Sequence, residues 1–184
     1  MRIASLVLLA LIVAPVVRAD TSPYAGEQHR AIKALSPAEI ADLRQGRGMG
    51  LAKAAELNGF PGPMHVLELA DRLGLDDDQR AATAALVAQM KADAQRIGAD
   101  LIAAEQALDR AFAQRRIDDG ALQAKLSEIA SLQGELRYVH LRTHLAQAAL
   151  LTPAQIALYD RLRGYAEPEP APAQGHGGHG SHKH

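Results

Sequence analysis

Three short runs set the terms on which this chain can fold. Leu35-Ser36-Pro37-Ala38-Glu39-Ile40, Leu75-Asp76-Asp77-Asp78-Gln79 and Leu151-Thr152-Pro153-Ala154-Gln155-Ile156 share one pattern. Each places a capping side chain, Ser36, Asp76 or Thr152, three residues before a Glu or Gln that can reach back to the cap's own N–H. Pro37 and Pro153 suit a first helical turn, and Leu35 with Ile40, like Leu151 with Ile156, reads as a hydrophobic staple. Asp77 and Asp78 add negative charge at the positive end of a helix dipole. Helices should therefore start at these three points.

The segments between them carry helical periodicity. A first short helix is expected to run to about Gln45, broken by Gly46, Gly48 and Gly50, which read as a hinge. Leu51 to Leu57 suits another short turn closed by Asn58-Gly59, and Phe60-Pro61-Gly62-Pro63 is a firm turn. Met64, Leu67, Leu69-Ala70 and Leu73 predict one helix from Pro63 to Gly74. After Asp76, apolar positions recur in steps of three and four at Leu86, Met90, Ala94, Ile97, Leu101, Ala104, Leu108 and Ala111. Ile117-Asp118-Asp119-Gly120 ends that helix, and Leu122, Leu126, Ile129, Leu136 and Val139 mark a second long one. Two long helices with so short a joint predict an antiparallel hairpin, with residues whose numbers sum to about 237 side by side.

Composition agrees with an all-α class. Two Phe, four Tyr and no Trp leave the core to Ala and Leu, which pack helices well and strands poorly. Residues 1–19 read as a secretory signal peptide: Met-Arg, an apolar run from Ile3 to Val17, then Val17-Arg18-Ala19 as the cleavage site. The rival reading is an uncleaved anchor, but the run falls short of the roughly 20 residues that span a bilayer, and Pro15 interrupts it. A soluble exported protein, most simply periplasmic, is expected, with no membrane span once the signal is gone. Residues 20–34 read as an extended arm, 35–165 as the helical domain, and 166–184 as a disordered Pro-, Gly- and His-rich tail.

There is no cysteine, so disulfides, thiolate metal ligation and a thiol nucleophile are excluded together. Without residues 1–19 the chain has 18 basic against 21 acidic side chains, a net of −3, which gives nothing to favour nucleic acid. No nucleophile has a positioned base and no Gly-rich loop follows a strand, so an enzyme is not expected.

The candidate chemistry lies in histidine. His140 and His144 are four residues apart in a helical segment, which puts both imidazoles on one face, one turn apart. The hairpin register brings His144 near Asp93 and Met90 near Gln147, and the Gly74 turn returns Met64 and His65 to the same end. Imidazole, carboxylate and thioether together suit zinc, nickel, cobalt or copper. The alternative is a pair of partly buried polar residues at a bundle edge, with Met90 and Met64 in the core and Asp93 a solvated charge. His176, His179, His182 and His184 sit in a short Gly-rich run and read as a weak metal-gathering tail, or as a solubilising end. His29 is assigned nothing.

The Leu-Thr-x-x-Gln signature, intact at Leu151 to Gln155 and with Asp76 in place of Thr at Leu75 to Gln79, resembles that of the LTxxQ group of periplasmic proteins. That group holds the Spy and CpxP chaperones, the zinc-resistance-associated proteins and heavy-metal-resistance sensors of the CnrX kind. The resemblance covers roughly residues 35 to 165. It implies a hooked antiparallel helical hairpin that often dimerises, and roles in holding unfolded clients, binding metal or sensing envelope stress through a membrane partner. Two functions are thereby expected. The first is a metal-binding protein of heavy-metal resistance or envelope-stress response that buffers or senses a divalent metal. The second is an ATP-independent holdase, for which Arg96, Arg110, Arg115, Arg116, Arg137 and Arg142 would line a client-binding face.

Overall fold

A computed structural model describes residues 21–166. The expected signal peptide and the tail histidines His176, His179, His182 and His184 lie outside the described residues. The described chain is all-α, with no strand among these residues. In order it forms α1 (Pro37–Gln45), α2 (Lys53–Glu56), α3 (Pro63–Glu68), α4 (Ala70–Leu73), α5 (Asp77–Ala113), α6 (Asp119–Leu150) and α7 (Pro153–Arg163). No helix among the described residues is long and apolar enough to cross a membrane.

The three capping boxes form as their sequences require. Ser36, Asp76 and Thr152 each accept from the backbone N–H three residues on, and Glu39, Gln79 and Gln155 each accept from the cap's N–H. Asp118 caps α6 through the Ala121 N–H at 2.8 Å. At the other ends Gly46, Gly74 and Gly164 take left-handed conformations, where a Cβ would be strained.

Two expectations change. The helix from Pro63 to Gly74 is two helices, because the backbone relaxes at Leu69 (φ −101°, ψ 10°) while Val66, Ala70 and Leu73 all reach one apolar cluster. The arm before α1 is tied down: Ile32 is buried, and Lys33 bonds Asp109 of α5 through both its backbone N–H and its Nζ.

Helices α5 and α6 lie against one another in opposite directions. Arg142 pairs with Asp93, and a groove between the helices brings Asp100 and Glu135 into one lining, two positions from the expected register. The core is in two parts. Leu43 of α1 joins Met90, Ala94, Ile97, Leu101 and Ala104 of α5 and Ile129, Leu136 and Val139 of α6. Val66, Ala70, Leu73, Leu75, Leu151 and Tyr159 form the second.

Between these cores the buried stripe of α6 changes character. After Val139 it reads His140, Thr143, His144 and Gln147, all buried, before apolar burial resumes at Leu151. Thr83 holds the corresponding stretch of α5, between Leu75 and Met90, and is fully buried. A polar layer thus separates two apolar cores.

The Gln of each long-range box does more than cap. Gln79 and Gln155 form a reciprocal amide pair, each Nε2 donating to the other's Oε1 at 3.0 Å. Gln79 Nε2 also donates to the Leu150 carbonyl ending α6 at 2.9 Å, and Gln155 Nε2 to the Leu73 carbonyl ending α4 at 3.4 Å. A Glu would cap equally well but has no donor, so this arrangement requires the amide.

Candidate metal site

The polar layer opens into a cleft of about 800 Å³. One wall is the glycine-rich turn from Gln45 to Gly50, another is Gly62 to His65 at the start of α3, and the floor includes Val87, Met90, His140 and His144. Glu56, Arg163 and Tyr165 close one side. The glycines expected as a hinge are therefore a wall, and Gly46 is fixed there: a Cβ would fall 2.9 Å from the Lys91 carbonyl.

The expected set of His65, Met64, Met90, His140 and His144 does converge on this cleft. Asp93 does not. A shift of two positions in register gives Asp93 to Arg142, with Gln89 donating to it at 3.1 Å. His65 reaches the cleft from its rim, with Nδ1 2.9 Å from Glu68 and the side chain 39% exposed. Met64 is exposed at the mouth, while Met90 is buried and serves both core and cleft.

His140 and His144 differ from the others in their ring nitrogens. His144 donates its Nδ1–H to the Phe60 carbonyl at 2.8 Å, which fixes the tautomer and leaves the Nε2 lone pair free. That is how metal-ligating imidazoles are oriented from behind. His140 is 2% exposed and its Nε2 has no hydrogen-bond partner. Burial, with His144 nearby, holds its pKa below the ordinary value. The His140 ring is therefore suited to the neutral state that a metal requires.

A further group of residues was not anticipated from sequence. Tyr159, fully buried, donates its hydroxyl to Glu56 Oε1 at 2.5 Å and accepts the Gly62 N–H at 3.2 Å. Tyr165 also donates to Glu56 Oε1, and Arg163 Nε lies 3.5 Å from it. Burial and the Glu56 carboxylate push the Tyr159 phenol strongly upward, and burial with Glu56 also raises Asp160. Glu56 Oε2 faces the other way, 3.7 Å from His144 Nδ1. Gly62 makes the approach possible, since a Cβ there would fall 2.8 Å from Glu56 Oε2 and 3.2 Å from His144 Cε1.

The donor set is incomplete. Among the described residues no three His, Asp or Glu side chains are gathered closely enough to hold a metal ion. Two imidazoles one turn apart, with a carboxylate beside them, are what the cleft offers. No protein-family model, curated protein or solved structure matches the chain.

Proposed function

We propose that this chain is an exported metal-binding protein of the LTxxQ kind, acting in heavy-metal resistance or envelope-stress response in the periplasm. It takes a divalent transition metal, zinc, nickel, cobalt or copper, through His140 and His144 and either buffers or senses it. One observation carries the reading: two buried imidazoles on adjacent turns border an open cleft, one of them with its Nε2 unpartnered and the other braced from behind by a backbone carbonyl. Leaving a buried polar atom without a partner costs about 1 to 3 kcal/mol, and such atoms call for an explanation. Coordination of a metal supplies it. Nitrogen donors beside Met64 and Met90 favour these borderline metals over calcium or magnesium.

The test is calorimetric titration of each metal into the chain from Asp20 onward, alongside the His140→Ala/His144→Ala variant. The reading expects micromolar or tighter binding at one site that the double change removes. Equal binding by both proteins refutes it.

A second reading, an ATP-independent holdase, is favoured by the rim of the same cleft, where Met49, Leu57 and Met64 expose apolar side chains. Suppression of aggregation by the metal-free protein, lost when these three become Ser, would establish it.

A further inference from the structure

We propose that the cleft singles out copper and holds it in the monovalent state, with thioether ligands drawn from Met49, Met64 and Met90 joining His140 and His144. The inference rests on the metal reading of that pair, and narrows the four metals to one by the sulfur around it. Three observations carry it.

The first is where the sulfur lies. The chain has four methionines and no cysteine. Apart from Met1, all of them line this one cleft, as do His65, His140 and His144. They come from separate segments: Met49 from the turn after α1, Met64 from the start of α3 and Met90 from α5. Thioethers are soft ligands that select copper(I), whereas zinc is bound by thiolate, imidazole and carboxylate.

The second is proximity to free donors. A Cβ on Gly62 would fall 3.2 Å from His144 Cε1 and 3.6 Å from its Nε2, so the backbone entering α3 lies against the nitrogen that the Phe60 contact leaves free. Met64 follows two residues later, and a Met side chain is unbranched and flexible enough to turn inward. Met90 shares an apolar cluster with Val139, the residue before His140, whose buried Nε2 has no partner. Met49 holds a left-handed φ of 45° between Gly48 and Gly50. That conformation is strained for a residue with a Cβ, and at 43% exposure Met49 recovers little by burial. A thioether kept at such a position has a use other than packing.

The third is charge. Arg47, Lys53, Lys91 and Arg163 line the cleft against one carboxylate, Glu56, whose Oε1 already accepts from Tyr159 and Tyr165. In such surroundings a singly charged ion meets half the repulsion of a doubly charged one. Neutral imidazole and thioether donors then suffice, because a monovalent ion does not need an anionic ligand. Among the described residues no three His, Asp or Glu side chains gather to hold a metal, which counts against zinc. It does not count against copper(I), because sulfur supplies the missing donors.

The experiment loads three proteins running from Asp20 onward with one equivalent of copper(I), under argon with ascorbate: the natural sequence, a Met49→Leu/Met64→Leu/Met90→Leu variant, and the His140→Ala/His144→Ala variant. Copper(I) affinity is read by competition with a chromogenic chelator, zinc affinity by calorimetry, and the ligands by X-ray absorption at the copper edge. Leucine keeps the size and apolar character of Met, so the fold and the apolar rim persist while the sulfur is removed. Residues 166–184 contain no sulfur, so copper–sulfur scattering can come only from these three methionines. The expected result is sulfur scattering in the natural protein that the Leu variant lacks. Copper(I) affinity should fall on the order of 100-fold in that variant, the top of the range for losing even an outer-shell partner, with zinc affinity nearly unchanged.

Nitrogen scattering alone in the natural protein, or undiminished copper(I) affinity in the Leu variant, would overturn the inference while leaving His140 and His144 standing as a divalent site. Equal losses for zinc and copper(I) in the Leu variant would make the methionines part of the cleft's shape and also overturn it. Undiminished binding of both metals by the Ala variant would instead sink the metal reading, and the inference with it. Far-ultraviolet circular dichroism checks that each variant keeps its helices.

Discussion

Gly98 of α5 and Gly134 of α6 invite one substitution with opposite outcomes. Both sit inside long helices, where Gly costs about 0.8 to 1.0 kcal/mol relative to Ala. At Gly134 a Cβ would meet nothing within 4 Å, so Gly134→Ala should recover most of that difference. At Gly98 a Cβ would lie 2.5 Å from the Leu43 carbonyl oxygen and 3.0 Å from its carbon, where ordinary contact begins at 3.4 Å. Helix α1 must therefore retreat by about 0.9 Å, and backbone cannot swing aside as a side chain can. Overpacking of this kind costs about 1 to 3 kcal/mol, which exceeds the helix-propensity gain across most of its range. Gly98→Ala should thus be destabilised by roughly 1 kcal/mol, and the two variants should differ by about 2 kcal/mol. For a domain of this size that gap is about 4 to 8 °C in Tm, readable by thermal unfolding followed by circular dichroism. Because α1 leads directly into the Gln45 to Gly50 wall, Gly98→Ala should also weaken zinc binding. If Gly98→Ala proves as stabilising as Gly134→Ala, α1 does not dock on α5 through this contact, and the wall of the cleft is not where it is placed here.

Other perturbations test the polar layer and its surroundings. Gln155→Glu keeps the capping box but removes the donor to Gln79 and Leu73, so urea unfolding should show a loss of about 1 to 3 kcal/mol where an isolated helix would show almost none. Tyr159→Phe removes the donor to Glu56 and the acceptor for Gly62, and should cost a similar amount. In an ultraviolet titration one tyrosine should resist ionisation well beyond the ordinary phenol value of 10.0, until the protein unfolds. His140, held neutral by burial, has a folded pKa below its ordinary 6.5, so the unfolded chain takes up its proton first. Stability of the metal-free protein should therefore hold above about pH 6.5 and decline as pH falls toward the folded pKa. His140→Leu should flatten that part of the profile; an unchanged slope would remove His140 as its cause.

The parts of this fold that could be read in advance are those encoded within a few residues. Each capping box needs only a cap and a partner three residues on, and all three form between those residues. The pairing of Gln79 with Gln155 spans 76 residues, and no local pattern announces it. The site divided in the same way. His140 and His144 share a helix face by spacing alone, and His65 joined their cleft because the turn at Gly74 is firm. Asp93 was misplaced because a hairpin register inferred from its turn carries an error of a few positions, enough to substitute Arg142 for His144. Glu56, Tyr159 and Tyr165 went unseen since they come from separate segments and meet only after α7 folds back. One signal was available: the buried stripe of α6 turns from Ile129, Leu136 and Val139 to His140, Thr143, His144 and Gln147. A run of polar residues on an inward face asks for partners or a ligand.

The Gln79 and Gln155 pair also governs the order in which the molecule can form. Neither glutamine can satisfy its amide until the other helix start has arrived, and the two are brought together only after α5 and α6 have run their full lengths. Contacts of such long sequence separation come at the greatest loop-closure cost and form late. Helix α7 carries Tyr159, which fixes Gly62 and Glu56, so the same event that joins the glutamines sets one side of the cleft. The hairpin can therefore exist, closed at its turn and apolar through its middle, before the histidine end has any defined shape. In the folded protein that end should open and reclose as one cooperative unit, with the amides of α7 and of Phe60 to Gly62 exchanging together and sooner than those of Ala94 to Leu101. A metal bound there would slow that opening.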